Sequence, residues 1–268
     1  MSRKFSLSLG LAAAVFSTFS LVAAAPAQAD KLVIAATPVP HAEILDFVKP
    51  ILAKEGVDLQ VKVFTDYIQP AVQTNEKRVD GNFFLHRPYL NEFKKSHKND
   101  IEVVITKVHV EPFAGYSAKY KKLADLPDGA TVAIPNDPSN SGRALLLLSR
   151  QGLLKLKDPS NISATQKDII ENPKHLKFKE LEAATLPRVL NQVDLALINT
   201  NYAIEAKLNP VKDSLFIEDA NSPYANLLVA RPDNKDSAAV KKLAVALNSP
   251  EVKKFIEEKY KGAVVPAF

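Results

Sequence analysis

Two α/β lobes, built from parallel sheets flanked by helices, are what this sequence predicts, and three observations carry the prediction. Short apolar runs of strand character alternate with segments of helical period along nearly the whole chain, the pattern of sheets covered by helices on both faces. The connections, such as 125–130 and 171–173, are short and polar. Once a leader ending at Ala29 is set aside, about 239 of the 268 residues remain, which suits two lobes better than one.

The leader comes first. Arg3 and Lys4 precede an apolar stretch from Phe5 to Ala25, and Ala27-Gln28-Ala29 closes it in a small-x-small pattern before Asp30. This is the layout of a secretory signal cleaved after Ala29. The alternative is an uncleaved N-terminal membrane anchor, since ~20 apolar residues can span a bilayer. Ser6, Ser8, Ser17 and Ser20 dilute the stretch, and its Ala-rich exit favours cleavage.

KLVIAA (31–36) then reads as a buried strand. The segment 41–55 carries Ile44, Leu45, Val48, Ile51 and Leu52 on one face of a helix, which Pro50 should kink or shorten. Alternation of Leu59, Val61 and Val63 marks a strand over 58–64, and 101–110, 131–134, 193–198 and 227–230 are further strands. Leu145–Leu148 sits in a helix. Two closing helices bury Val240, Leu243, Ala244 and Leu247, then Val252, Phe255 and Ile256.

Composition excludes several function classes. With no Cys, there are no disulfides, thiolate zinc sites, iron–sulfur clusters, cysteine nucleophiles or lipid-modified cysteine. The net charge of +5 is modest and interspersed with acids, and no Arg-rich arm appears, so no nucleic-acid partner is expected. None of GxGxxG, GxxxxGK[ST], GxSxG or HExxH occurs. His41, His86, His97, His109 and His175 do not fall at metal-ligand spacings. No catalytic residue, metal or cofactor is therefore expected.

Three groups of residues remain. Asn136-Asp137-Pro138-Ser139-Asn140-Ser141-Gly142-Arg143 follows a strand and opens a helix, with Asp137, Ser139 and Asn140 as good N-caps and Pro138 suited to the first turn. Arg143 opposes the helix dipole there. It is either a fork for a ligand carboxylate or a solvent-facing arginine with an ion-pair partner. Asn199 and Asn201 follow the strand 193–198, beyond whose carboxyl end ligands of open α/β sheets sit, and Asn226 stands at the entrance of the strand 227–230. Taken singly, each of these amides reads first as turn chemistry. Phe84, His86 and Tyr89, with Phe64 and Tyr67 upstream, form either an apolar pocket wall that suits a thioether or an aromatic core cluster.

At this point the chain resembles the methionine-binding lipoprotein family of the NlpA/MetQ type, the substrate-binding components of methionine ABC importers. The segments that carry the resemblance are ATPVPHAEIL (36–45), GNFFLHRPYL (81–90), KVHVEPFAGYS (107–117), LPDGATVAIPNDPSNSGRALLLL (126–148), ALINTNYA (196–203), SPYANLLVARP (222–232) and SPEVKKFIEEKYKGAVVPAF (249–268). They run in order over essentially the whole mature chain.

The resemblance implies a two-lobed periplasmic binding protein fold, type II-like, with a ligand cleft between the lobes and crossings near 111–115 and 219–225. One lobe would be residues 30–113 plus 226–268 and the other 114–225. It implies that Arg143 grips the ligand carboxylate, that Asn199 and Asn226 hold the α-amino group and carboxylate, and that Tyr67, Phe84, His86 and Tyr89 surround the thioether side chain. Asn201 is a further member. The implied partners are methionine, L- or D-, and an ABC permease with its ATPase, and a monomer is expected. The chain departs from the family pattern in having no lipobox cysteine. That predicts a free periplasmic protein secreted through a cleavable signal peptide. Rival readings are a binding protein of the same fold for a methionine derivative, a short peptide or another apolar amino acid, and a periplasmic hydrolase or assembly factor.

Overall fold

A computed structural model describes residues 1, 29–97, 103–219 and 221–268. The leader, apart from its two end residues, lies outside them. The chain runs β1 (Asp30–Ala36), α1 (Glu43–Lys54), β2 (Val57–Val63), α2 (Gln69–Asn75), β3 (Gly81–His86), α3 (Arg87–His97), β4 (Val103–Val110), β5 (Ala114–Tyr116), β6 (Thr131–Pro135) and α4 (Pro138–Arg150). It continues through β7 (Lys155–Leu156), β8 (Ile169–Glu171), β9 (Lys177–Leu181), β10 (Leu195–Ile198), α5 (Thr200–Glu205), β11 (Phe216–Ile217), β12 (Ala225–Ala230), α6 (Ala238–Leu247), α7 (Pro250–Tyr260) and β13 (Val265–Pro266). Two sheets form two lobes. The first has strand order β13-β4-β12-β3-β1-β2, the second β11-β5-β10-β6-β9, and β7-β8 is a separate ribbon.

The sheets are mixed rather than parallel, and the reason lies in how the chain changes lobes. β1 is parallel to β2 and β3, and β6 to β9 and β10. β12 returns from the second lobe and starts beside the end of β4, pairing Ala225 with Val110, so it must run antiparallel to both its neighbours. β5 likewise starts beside the end of β10, pairing Ala114 with Ile198. Both crossings therefore leave and enter at the carboxyl edges of the parallel strands. These edges face each other across the junction of the lobes, which is where open α/β sheets leave room for ligands.

Local sequence accounts for the elements that carry the site. Asp137 accepts from the Asn140 N–H as the N-cap of α4, with Pro138 in its first turn. Ser237 and Ser249 cap α6 and α7 in the same way. Gly142 lets α4 pack closely, because a Cβ there would lie 2.5 Å from the Ile162 carbonyl oxygen. α1 runs through Pro50, which is exposed, as is Asp46 one turn before it, so the carbonyl that loses its donor lies on the solvent face. The boundary moves at the other end, where Pro38–Ala42 forms an irregular turn ahead of the helix. The aromatic segment 81–90 is a strand as well as a wall. β3 is central and buried on both faces, which leaves no alternation to mark it.

Each lobe has its own core. Ile34, Leu45, Val48, Phe83, Leu228 and Leu243 belong to the first, and Val132, Ile134, Leu145, Leu148 and Leu197 to the second.

Candidate functional site

The carboxyl edges of the two sheets bring the site together. From the first sheet, β3 carries Phe84 and ends at His86, α3 adds Tyr89, β12 carries Asn226 beside His86, and the loop after β2 adds Tyr67. From the second, α4 adds Arg143, Asn199 precedes α5, and Asn201 lies in its first turn. All eight residues line one cavity, together with Leu85, Glu111, Asn140 and Thr200.

Arg143 dominates the polar end. It is 3% exposed, so the solvent-facing reading fails, but the ion-pair reading holds in a buried form. Its Nε donates to both Glu218 carboxylate oxygens at 3.2 Å, and its Nη2 donates to Glu218 Oε2 and, at 2.9 Å, to the Glu111 carbonyl oxygen. The guanidinium lies over the Tyr224 ring, 4.1 Å from its centroid. Among the described residues Nη1 has no hydrogen-bond partner, and Arg143 lines the cavity. A buried Arg–Glu pair with a donor left over can still bond one more acceptor.

The amides form a relay around it. Asn140 Oδ1 accepts from His86 Nε2 at 3.2 Å and from Asn199 Nδ2 at 3.0 Å, joining the two lobes. The His86 Nδ1 accepts from the Tyr89 N–H at 3.2 Å, which fixes the tautomer with its proton on Nε2. Burial, with the Arg143 charge second, holds the His86 pKa down to about 3, so the ring is neutral. Asn199 Oδ1 and Asn201 Nδ2 are buried without partners. Such atoms inside a folded protein are unusual, and at a cavity wall they point to a ligand. Turn chemistry does not explain Asn199: it precedes α5, yet its side chain makes no capping bond.

Below this layer, Glu111 Oε1 accepts from His109 Nε2 at 2.8 Å and sits 3.3 Å from His41 Nε2, while Oε2 accepts from the Asn201 N–H at 2.9 Å. His41 also donates to Asn226 Oδ1 at 3.1 Å and accepts from the Thr37 hydroxyl at 2.7 Å. Burial lowers the pKa of His41 to about 4 and of His109 to about 3, and pushes the Glu111 carboxyl up. His41, His109 and Glu111 bring three potential metal ligands within 4.8 Å of one another, although their sequence spacing carries no ligand pattern. Glu111 Oε1 is engaged by the His109 imidazole proton, while the His41 proton goes to Asn226.

The opposite wall is aromatic. Tyr67, Phe84 and Tyr89 surround each other with ring centroids 5.8–6.0 Å apart. The Tyr67 hydroxyl donates across the lobes to Asn201 Oδ1 at 2.5 Å, and the Tyr89 hydroxyl donates to the Tyr67 carbonyl at 2.8 Å. The cluster lines the cavity and also packs as core, since Phe84 and Tyr89 group with Leu85, Leu90 and Phe93.

Sequence reasoning missed Glu111, Asn140, Thr200 and Glu218. Asn140 was legible only as a cap, a role Asp137 takes. The two glutamates lie in crossing segments, where nothing local distinguishes a buried acid from an exposed one.

Comparison with known proteins comes last. The NlpA lipoprotein family profile matches residues 32–268. The methionine-binding lipoprotein MetQ of Bacillus subtilis strain 168 is 43% identical over 88% of this chain and 88% of its own length. A nutrient-binding protein from Burkholderia cenocepacia, solved bound to methionine, superposes with a TM-score of 0.85 at 45% identity, covering 88% of this chain and all of that one. A periplasmic substrate-binding protein of an ABC transporter from Coxiella burnetii gives a TM-score of 0.84 at 40% identity, covering 88% and 100%. These relatives correct one expectation. A free periplasmic protein was inferred from the missing lipobox cysteine, but the family and the Bacillus relative are lipoproteins by name. A residue count is the wrong basis for localisation, and the unanchored reading is withdrawn.

Proposed function

Because the chain belongs to the NlpA lipoprotein family, we propose that it is the solute-binding component of an ABC importer and captures methionine between its lobes. The observation that carries the reading is the convergence of Arg143, Asn199, Asn201 and Asn226 with Tyr67, Phe84, His86 and Tyr89 on one cavity. The lobes in this reading are 30–113 plus 226–268 and 114–225.

The chemistry is recognition without turnover. A zwitterion needs a donor set for its carboxylate, and among the described residues at the cavity Arg143 Nη1, Asn226 Nδ2 and Asn201 Nδ2 are donors without a protein partner. The thioether lies against the ring edges of Tyr67, Phe84 and Tyr89, contacts that favour sulfur. Ligand touching both lobes stabilises the closed form by its differential affinity for closed over open. The bonds from Tyr67 to Asn201 and from His86 to Asn140 join residues assigned to different lobes and add to the closed form. The closed monomer then docks on the permease, with its ATPase, on the outer side of the transport membrane.

Thermal shift on protein unfolded and refolded to strip bound ligand tests this. The chain has no Trp, so a dye or calorimetric readout is used. Ligand at 100 to 1,000 times Kd adds about 2.7–4.1 kcal/mol, which is about 5–16 °C for a chain of this size. A shift confined to L- or D-methionine supports the reading. A shift with leucine or glutamine and none with methionine overturns it.

A further inference from the structure

We propose that Tyr202, which is not among the residues lining the ligand cavity, is a positioning residue that sets how fast ligand leaves, because its hydroxyl straps the loop 64–68 of one lobe to α5 of the other. The inference rests on the amino-acid reading above and adds to it a residue that acts on release through Tyr67.

Two neighbours on α5 reach the same loop. Asn201 lines the cavity and accepts from the Tyr67 hydroxyl at 2.5 Å. Tyr202 points elsewhere, as the next residue of a helix must, and its hydroxyl donates to the Thr65 carbonyl at 3.1 Å. Its ring also lies against the Tyr67 ring, with centroids 4.9 Å apart. In the lobe division above, α5 belongs to 114–225 and the loop to 30–113, so both bonds cross between lobes.

The loop carries a hold on Thr65 to the cavity wall. Asp66 Oδ1 accepts from the Ile68 and Gln69 N–H groups, both at 2.7 Å, and the Phe64 N–H donates to the Ala36 carbonyl at 2.9 Å. These local bonds tie Thr65 to Tyr67, two residues on, in one compact turn. Tyr67 sits astride the lobes: it packs with Phe84, Tyr89 and Phe93 on one side and with Leu186, Ile198 and Tyr202 on the other.

The place of Tyr202 along the seam is the independent observation. It borders two spaces, one behind the aromatic wall with Tyr67, Tyr89 and Asp137, and an outer groove with Thr65, Arg188 and Glu205. The residue is buried, and its bond to Thr65 closes the seam beside the aromatic end of the cavity. Release requires the lobes to part. A bond between them opposes that step, and lowers the apparent Kd, without any contact to the ligand.

Tyr202→Phe removes the hydroxyl and keeps the ring in its cluster. Release of radiolabelled methionine from the full chain, the L- and D-forms separately, is followed after a chase with unlabelled ligand, beside the association rate and the Tm of ligand-free protein. Release should be about 2- to 12-fold faster, as for loss of one neutral hydrogen bond. Association should stay within about twofold, and the ligand-free Tm should be unchanged. Unchanged release overturns the proposal. So does faster release with a lower ligand-free Tm, which would assign the hydroxyl to the fold rather than to closure, and so does weakening through slower association alone. Wild-type protein that retains neither form of methionine overturns the amino-acid reading and this proposal with it, a result distinct from unchanged release in the variant.

Discussion

Arg143→Ala separates binding from stability only if the Glu218 partnership is taken into account. The substitution removes three hydrogen bonds to Glu218 and one to the Glu111 carbonyl. It leaves the Glu218 side chain, 3% exposed, as an uncompensated buried charge. Breaking a buried ion pair in this way costs about 3–5 kcal/mol, or about 6–20 °C in Tm for a chain of this size. Loss of methionine binding in Arg143→Ala alone would therefore report misfolding as readily as a lost contact. The companion Arg143→Ala/Glu218→Ala removes both charges and should recover most of the lost Tm. It should not recover binding, because Nη1 is gone in both. The assay is calorimetric titration with methionine on each variant, after its melting curve has been recorded at the same pH. Restored binding in the double variant would show that Arg143 serves only Glu218 and the fold, and the carboxylate assignment would fall. An unchanged Tm in the single variant would contradict the buried pair itself.

Two further outcomes follow from the same network. His41, His86 and His109 have folded pKa values held down to about 4, 3 and 3 by burial, against an unfolded value of 6.5. The unfolded state thus binds more protons below pH 6.5, and stability is full above that pH and declines as pH falls toward 4, by up to about 1.4 kcal/mol per unit for each ring. Glu111, pushed up by burial, contributes with the opposite slope above its unfolded value of 4.5. A Tm that stays flat between pH 7 and 5, where most carboxylates are still ionised, would show that these rings are charged or exposed. Asn226→Ala should weaken methionine binding while lowering the stability of the empty protein by no more than about 1 kcal/mol, since His41 Nε2 still has Glu111 Oε1 within 3.3 Å. A larger loss in urea unfolding would make Asn226 a structural residue of β12.

Local order made part of this molecule legible. β1, β6 and β10 announce themselves as apolar runs, and α4 through the Asp137–Pro138 cap, because burial periodicity and capping involve residues a few positions apart. β3 and the segment leading into α3 were legible only as an aromatic cluster, since a strand buried on both faces has no period to detect. The eight site residues were named from motifs and the family resemblance, and their meeting around one cavity follows from the sheet edges that gather their elements. The sequence determined which side chains stand at those ends. Only the tertiary structure decided their partners. Arg143 meets Glu218 across 75 residues, Tyr67 meets Asn201 across 134, and His41 meets Asn226 across 185. The direction of β12 was decided the same way, by where the chain re-enters its sheet. A buried ion pair or an inter-lobe hydrogen bond depends on two segments arriving together with water excluded, and no stretch of sequence holds both halves of that condition.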